Sequence, residues 1–149
     1  MKTETLFSSR SDEWETPQDF FNKLNEEFSF TLDACATQEN AKCNRYFTKA
    51  DDALQQRWTG SVWCNPPYTK GIASWAEKAS ESVRDGADVV VLLVPARTDT
   101  RWFHDWIYRK PNVEIRFVKG RLKFGGGRNN APFPSMIAVF RKGLWHGKE

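Results

Sequence analysis

The sequence predicts an α/β protein: an open, mostly parallel sheet with helices on both faces and an antiparallel hairpin at its C-terminal end. Residues 88–95 form a continuous run of aliphatic and β-branched residues, which is typical of a central parallel strand covered on both faces. Before this run, shorter apolar segments alternate with segments of helical periodicity. After Pro111, two apolar segments flank a glycine- and proline-rich loop over 125–134, which indicates the hairpin.

The individual elements follow from local signals. Thr16 is predicted to cap the first helix and Pro17 to occupy its first position. Residues 28–32 alternate as a strand that ends at Asp33, and a second strand ends at Asn65. Ligands bind beyond the carboxyl ends of strands in such sheets, and both polar residues fall there. The second strand covers 61–64, and the other predicted elements are helices over 69–85 and after a cap at Thr98 or Asp99, and strands over 113–124 and 135–140.

Length and composition bound the interpretation. The 149 residues suit a single domain, with 1–11 expected to be a flexible arm and 143–149 a frayed tail. The three cysteines have no zinc spacing, so no metal site is expected. No apolar run is long enough to cross a membrane and no signal-peptide core follows Met1, so a cytoplasmic location is expected.

Charge is distributed unevenly. Residues 1–95 carry a net charge of −5 and residues 96–149 carry +8, within a total of +3. A basic C-terminal third on an acidic body is consistent with a face for a polyanion or with a solvated basic surface.

The segment Asn65-Pro66-Pro67-Tyr68 carries the most chemical information. Its prolines fix the backbone and remove two N–H donors, leaving the Asn65 amide oxygen and the Pro66 carbonyl as acceptors. Both oxygens can accept hydrogens from the amino group of a planar substrate, on which Tyr68 stacks. Two acceptors would free the nitrogen lone pair for attack on a sulfonium methyl, by positioning and electrostatics. A simple turn is the alternative, but an apolar strand precedes the prolines and an aromatic residue follows them.

A series of six segments, spread over about residues 12–142, resembles the small phage-type DNA N6-adenine methyltransferases, which are Dam-like and depend on S-adenosylmethionine. These segments are Trp14-Glu15-Thr16-Pro17, Leu32-Asp33-Ala34-Cys35-Ala36, Trp63-Cys64-Asn65-Pro66-Pro67-Tyr68, Asp99 with Trp102-Phe103, Gly120-Arg121 with Phe124, and Pro132 to Ser135.

The resemblance implies a Rossmann-like methyltransferase domain that binds S-adenosyl-L-methionine. It places Thr16 and Pro17 near the methionine end of the cofactor, Asp33 against it, and Asp51 or Asp52 near its adenine. From the residues alone, a helix cap is an equal alternative for Asp33. Many amino-methyltransferases have a glycine-rich first loop, whereas residues 33–38 contain no glycine. The full set expected at the cofactor is Thr16, Pro17, Asp33, Ala34, Cys35, Asp51, Asp52 and Asn65.

The expected partner is double-stranded DNA from which the target adenine is flipped, because a stacked base cannot reach a pocket at strand ends. Basic side chains of the C-terminal third would contact phosphates. Phe124 or Phe133 would fill the gap left by the base or pack in the core, and core packing is favoured for Phe133. A homodimer could enlarge the reading surface, and GATC is a recognition site by family analogy only. The residues expected at DNA are Arg97, Arg101, Lys119, Arg121, Lys123, Phe124, Arg128 and Asn129.

Three rival interpretations remain. The same chemistry could act on an RNA adenine or on a protein glutamine. The chain could also be a nucleic-acid-binding module without catalysis, against which the intact Asn65 and Tyr68 argue. A nucleotide hydrolase is disfavoured because the sequence contains no Gly-x-x-x-x-Gly-Lys-Ser/Thr segment.

Overall fold

The computed structural model describes residues 14–69, 71–125 and 130–143. Among these residues, no helix combines the length and the apolar character needed to cross a membrane. The helices are α1 (Gln18–Phe28), α2 (Ile72–Arg84) and α3 (Arg101–Trp106), with 3-10 turns at Lys49–Asp51 and Ala53–Gln55. The strands are β1 (Leu32–Asp33), β2 (Arg45–Tyr46), β3 (Ser61–Cys64), β4 (Val89–Pro95), β5 (Val113–Phe117) and β6 (Ser135–Arg141).

The strands form one six-stranded sheet in the order β2-β1-β3-β4-β6-β5. β1, β2, β3 and β4 pair in parallel, whereas β6 runs antiparallel to both β4 and β5. A mixed α/β protein with a mostly parallel sheet and antiparallel C-terminal strands is therefore confirmed. β6 lies between β4 and β5, inside the sheet rather than at its edge. Its residues Ser135 to Phe140 are therefore buried without alternation.

The register brings the predicted site residues together. Asp33, the last residue of β1, pairs with Trp63 of β3. Asp33 and Asn65, the residue after β3, therefore lie at the ends of neighbouring parallel strands, at the same edge of the sheet. α1 packs against this region through Phe21, whose ring lies 5.4 Å from that of Trp63. The core thus fixes the strand ends from which the site is built.

Two of the predicted caps are wrong. Thr16 does not cap α1: the N-cap is Pro17, without a side-chain hydrogen bond. The Thr16 hydroxyl instead accepts a hydrogen bond from the Asn65 side chain. α3 is capped by Thr100 rather than Thr98 or Asp99, and the Thr100 Oγ1 accepts a 3.3 Å hydrogen bond from the N–H of Phe103.

Two strands are shorter than predicted. α1 continues through Phe28, and the left-handed backbone of Ser29 then turns the chain, so that β1 contains only Leu32 and Asp33. β5 ends at Phe117 rather than at residue 124, and Gly120 with φ +75° bends the chain beyond it. The predicted arm over 1–11 lies outside the described residues, as do residues 144–149 of the predicted tail.

Candidate active site

A cleft of about 400 Å³ opens at the carboxyl ends of β1 and β3. Its volume lies in the range of small-molecule and cofactor sites. Polar side chains in its wall include Asp33, Asp52, Asn65, Lys42 and Lys49, and aromatic surface comes from Trp14, Phe47 and Trp75. The cleft therefore combines carboxylates with flat apolar walls. Thr16, Ala34 and Cys35 also line it, as the sequence predicts for a cofactor site.

Asp33 is a buried carboxylate that organises the loop after β1. Its side chain is 2% exposed; Oδ1 accepts a 3.2 Å hydrogen bond from the N–H of Cys35 and Oδ2 a 3.0 Å bond from that of Lys42. Burial has the larger effect and raises the pKa of Asp33 to about 6, although both backbone hydrogen bonds lower it. No helix begins within residues 34–42, so Asp33 is not a helix cap.

The loop closes without glycine through hydrogen bonds of its own side chains. The N–H of Thr37 donates to Asn40 Oδ1 at 2.7 Å, and the N–H of Asn40 donates to Thr37 Oγ1 at 3.1 Å. Backbone bonds then join Asp33 and Ala36 to Phe47, which brings the Phe47 ring to the cleft. No sequence pattern separates Phe47 from the other apolar residues of the core.

The alternatives Asp51 and Asp52 take different positions. The carboxylate of Asp51 accepts hydrogen bonds from the N–H and hydroxyl of Thr48, at 2.7 and 3.1 Å, in a capping box. Asp52 has a left-handed backbone, with φ +56°, and lines the cleft. Asp51 therefore has a local structural task, and Asp52 is the better placed of the two to contact a ligand.

The Asn65 amide is held by three groups at the cleft wall. Its Nδ2 donates to the carbonyl oxygen of Trp14 and, at 3.0 Å, to Thr16 Oγ1. Its Oδ1 accepts a 2.5 Å hydrogen bond from the Tyr68 hydroxyl. The same hydroxyl lies 3.0 Å from the carbonyl oxygen of Leu93 in β4. Asn65 is thereby connected to the N-terminal segment and to the central strand.

The Tyr68 ring is covered in this conformation. It is 3% exposed, and its ring meets those of Phe133 and Phe124 edge-on at 5.6 and 6.3 Å. Burial is the main reason why the pKa of Tyr68 lies well above its ordinary value. Stacking of Tyr68 on a base stays a prediction, and it requires the covering rings to move.

An aromatic cluster of Trp14, Tyr68, Phe124 and Phe133 closes one side of the site. The Trp14 ring lies 5.5 Å from Phe124 and 5.3 Å from Phe133. Phe124 is 7% exposed and lies in the core, and Phe133 is half-buried and packs against it, so both rings take part in core packing. In this conformation Phe124 packs inside the protein rather than presenting a surface wedge.

The predicted DNA contacts divide into exposed and undescribed residues. Arg97, Arg101, Lys119, Arg121 and Lys123 are exposed. The last three follow β5, whose final residue Phe117 aligns through β6 with the carboxyl-terminal half of β4. They therefore lie at the edge of the sheet that carries Asn65. Arg128 and Asn129 lie outside the described residues.

A mostly parallel α/β sheet with a carboxylate and an Asn-Pro-Pro-Tyr loop at adjoining strand ends, beside a cleft of small-molecule size, is the arrangement in which α/β proteins place a ligand site. The sequence model of the DNA N-6-adenine-methyltransferase (Dam) family matches residues 2–142, and the chain belongs to this family. The resemblance inferred from the ordered motifs is confirmed.

Two relatives have informative names. The chain is 33% identical over 115 residues to the DNA N-6-adenine-methyltransferase of Escherichia phage T1. This match covers 74% of the chain and 46% of the phage protein. It is 38% identical over 65 residues to YfdM of Escherichia coli (strain K12), which is named as a methyltransferase; this match covers 38% of this chain and 71% of YfdM. The matched region thus spans about half the length of the phage T1 protein.

Proposed function

We propose that the chain is a Rossmann-like enzyme, with helices on both faces of its sheet, that transfers a methyl group from S-adenosyl-L-methionine to N6 of adenine in double-stranded DNA. The observation that carries the proposal is the Asn65 amide, fixed at the end of β3 in the cleft that also contains the Asp33 carboxylate. Membership of the DNA N-6-adenine-methyltransferase family supports the reaction.

The cleft residues fit the cofactor by their chemistry. The carboxylates of Asp33 and Asp52 can accept hydrogen bonds from an ammonium group or from ribose hydroxyls, and Phe47 and Trp75 offer apolar surface to a flat base. When bound, the cofactor supplies an electrophilic methyl group on a sulfonium. The carboxylates and the aromatic rings favour the sulfonium, while Lys42 and Lys49, which also line the cleft, partly offset the negative charge.

The Asn65 side chain and the Pro66 carbonyl would hold the substrate amino group. The lone pair of the adenine amino nitrogen is delocalised into the ring, which makes this nitrogen a weak nucleophile. Oxygen acceptors on its two hydrogens orient it and favour the tetrahedral geometry from which it attacks. Asn65 Oδ1 already accepts from Tyr68, and a carbonyl oxygen has a second lone pair for an amino hydrogen.

Double-stranded DNA is the proposed partner, with the target adenine flipped into the cleft. The exposed Lys119, Arg121 and Lys123, at the same edge of the sheet as Asn65, would contact phosphates on the way to the site. Arg97 and Arg101 extend this basic surface beyond β4. A homodimer stays a prediction.

The reaction is tested by incubating the purified chain with DNA free of N6-methyladenine and with S-adenosylmethionine, and then measuring nucleosides by mass spectrometry. We expect N6-methyladenine from the wild type and none from Asn65→Ala. Asn22 is an exposed asparagine on α1, and Asn22→Ala is the matched control, which should retain activity. Binding of the cofactor without any methyladenine would refute adenine in DNA as the substrate. The same assay with RNA and with protein then tests the rival amino groups.

A further inference from the structure

The orientation of the Asn65 amide follows from hydrogen-bond chemistry. The Nδ2 group has two hydrogens, and two acceptors surround it: the Trp14 carbonyl oxygen and Thr16 Oγ1. A carbonyl cannot donate, so turning the amide over would bring two oxygen acceptors together. The amide therefore keeps its nitrogen towards the N-terminal segment and its oxygen away from it.

A third contact fixes the oxygen end. The Tyr68 hydroxyl has one proton and two acceptors within reach, Asn65 Oδ1 at 2.5 Å and Leu93 O of the buried strand β4 at 3.0 Å, and the shorter contact assigns the proton to Asn65. Tyr68 itself is buried among aromatic rings, which hold its hydroxyl in place in this conformation. Two anchors on the nitrogen and one on the oxygen leave a single lone pair of Oδ1 for a further donor.

We propose that Thr16 is a positioning residue for the reaction, and that it acts with the Tyr68 hydroxyl as a clamp that aims the free lone pair of Asn65 Oδ1 at the substrate amino group. This inference rests on the proposed function. It gives Thr16 a task other than contact with the methionine end of the cofactor. It also gives the Tyr68 hydroxyl a task separate from stacking by the Tyr68 ring.

The clamp joins parts of the chain that are far apart in sequence. Thr16 immediately precedes α1 and is 5% exposed, while Asn65 follows β3. Thr16 does not cap α1, and the bond to the amide satisfies its largely buried hydroxyl. Removing the hydroxyl while retaining the side-chain shape should loosen the amide, because the Trp14 carbonyl is then the one anchor left on its nitrogen.

Kinetics of Thr16→Val and Thr16→Ser provide the first measurement. At saturating cofactor and DNA, Thr16→Val should lower kcat by about tenfold or more, because one anchoring hydrogen bond is lost. Thr16→Ser restores the hydroxyl and should recover most of kcat. A higher Kd for S-adenosylmethionine in Thr16→Val, with kcat at saturation equal to that of the wild type, would assign Thr16 to the cofactor and overturn the clamp.

A double-mutant cycle tests whether both anchors act through Asn65. Tyr68→Phe keeps the ring and removes the hydroxyl donor. If one lost anchor already frees the amide, the combined Thr16→Val/Tyr68→Phe variant should have nearly the kcat of the worse single variant. Effects on kcat that multiply would show independent roles and refute the clamp.

Nuclear magnetic resonance of the cofactor-free protein gives a measurement that does not depend on activity. Both Asn65 side-chain N–H hydrogens should exchange slowly in the wild type, and one should exchange rapidly in Thr16→Val and slowly again in Thr16→Ser. The Asn25 side chain, whose Oδ1 accepts a 2.7 Å bond from the N–H of Phe30, is the internal control, because its hydrogen exchange should be the same in all three proteins. Unchanged Asn65 exchange in Thr16→Val refutes the clamp even if DNA is methylated. Protected exchange in a wild type that methylates no DNA would refute the proposed function alone.

Discussion

The backbone N–H of Lys42 donates a 3.0 Å hydrogen bond to Oδ2 of Asp33, so one buried carboxylate closes the loop that follows β1. The N–H of Cys35 donates to the other carboxylate oxygen. Both bonds favour the ionised form, yet burial dominates and raises the pKa of Asp33 to about 6. The cleft therefore contains a carboxyl group that gains or loses its charge at a pH slightly below neutral.

Ionisation of Asp33 should cost folding free energy in the ligand-free protein. Between its ordinary pKa of 3.8 and the folded value of about 6, the folded carboxyl retains a proton that the unfolded chain has lost. The contribution of Asp33 to stability therefore falls as pH rises through this window, by up to about 3 kcal/mol. Urea denaturation from pH 4 to 7 should show the wild type losing stability relative to Asp33→Asn. A constant difference between the two proteins would contradict a raised pKa.

Cofactor affinity should have the opposite pH dependence. If the ionised Asp33 accepts hydrogen bonds from S-adenosylmethionine, binding must displace its proton below pH 6, and affinity should weaken by up to about tenfold per pH unit. Calorimetry between pH 5 and 8 measures this slope. Asp33→Asn should abolish it, and this variant also corrects for titration of the cofactor's own amino group. Equal wild-type affinities at pH 5.5 and 7.5 would place Asp33 outside the cofactor contacts.

The elements that sequence patterns predicted well are the strands that form because a continuous apolar segment must be buried. The strand predicted over 61–64 is β3, and the run over 88–95 contains β4, because continuous apolar segments are stable only inside the sheet. Asn65 at a strand end followed from the same reasoning. The order of motifs along the chain also identified the family correctly.

Long-range partners could not be predicted. Thr16 satisfies every local rule for a helix cap, but its hydroxyl bonds Asn65, which lies 49 positions away. Phe124 fits both a surface loop and a core position, and only packing against Trp14 decides between them. Trp75 lies on the apolar face of a helix, and its place in the cleft wall depends on how that helix docks. Local propensity cannot distinguish such cases because the deciding contacts come from remote residues.

Replacement of Phe124 should separate core packing from a surface role. Phe124→Ala removes a 7% exposed ring from the aromatic cluster and should lower the free energy of unfolding by about 3–5 kcal/mol. Phe117→Ala is the matched control, because this ring is 67% exposed and its loss should change stability by no more than about 0.5 kcal/mol. Both values come from urea denaturation. Equal, small effects would mean that Phe124 is available at the surface to contact DNA.

The position of the basic segment after β5 leads to a prediction about DNA binding. Lys119 and Lys123 are exposed at the edge of the sheet that carries Asn65. Arg121 is exposed as well, but its Nη1 donates to Ala131 O at 3.3 Å, so its replacement would also disturb the loop. The two lysines are therefore the cleaner test of phosphate contact.

The double variant Lys119→Gln/Lys123→Gln should bind DNA more weakly, and to a similar degree on all sequences, because phosphate contacts carry no sequence information. Two lost contacts should reduce the slope of log affinity against log salt by up to about 1.8. Arg84→Gln/Lys142→Gln removes the same charge at the opposite edge, where α2 ends and β6 meets the start of β4. An equal loss of slope in both double variants would indicate a general effect of net charge, whereas a loss confined to the first locates the DNA on the side of the catalytic loop.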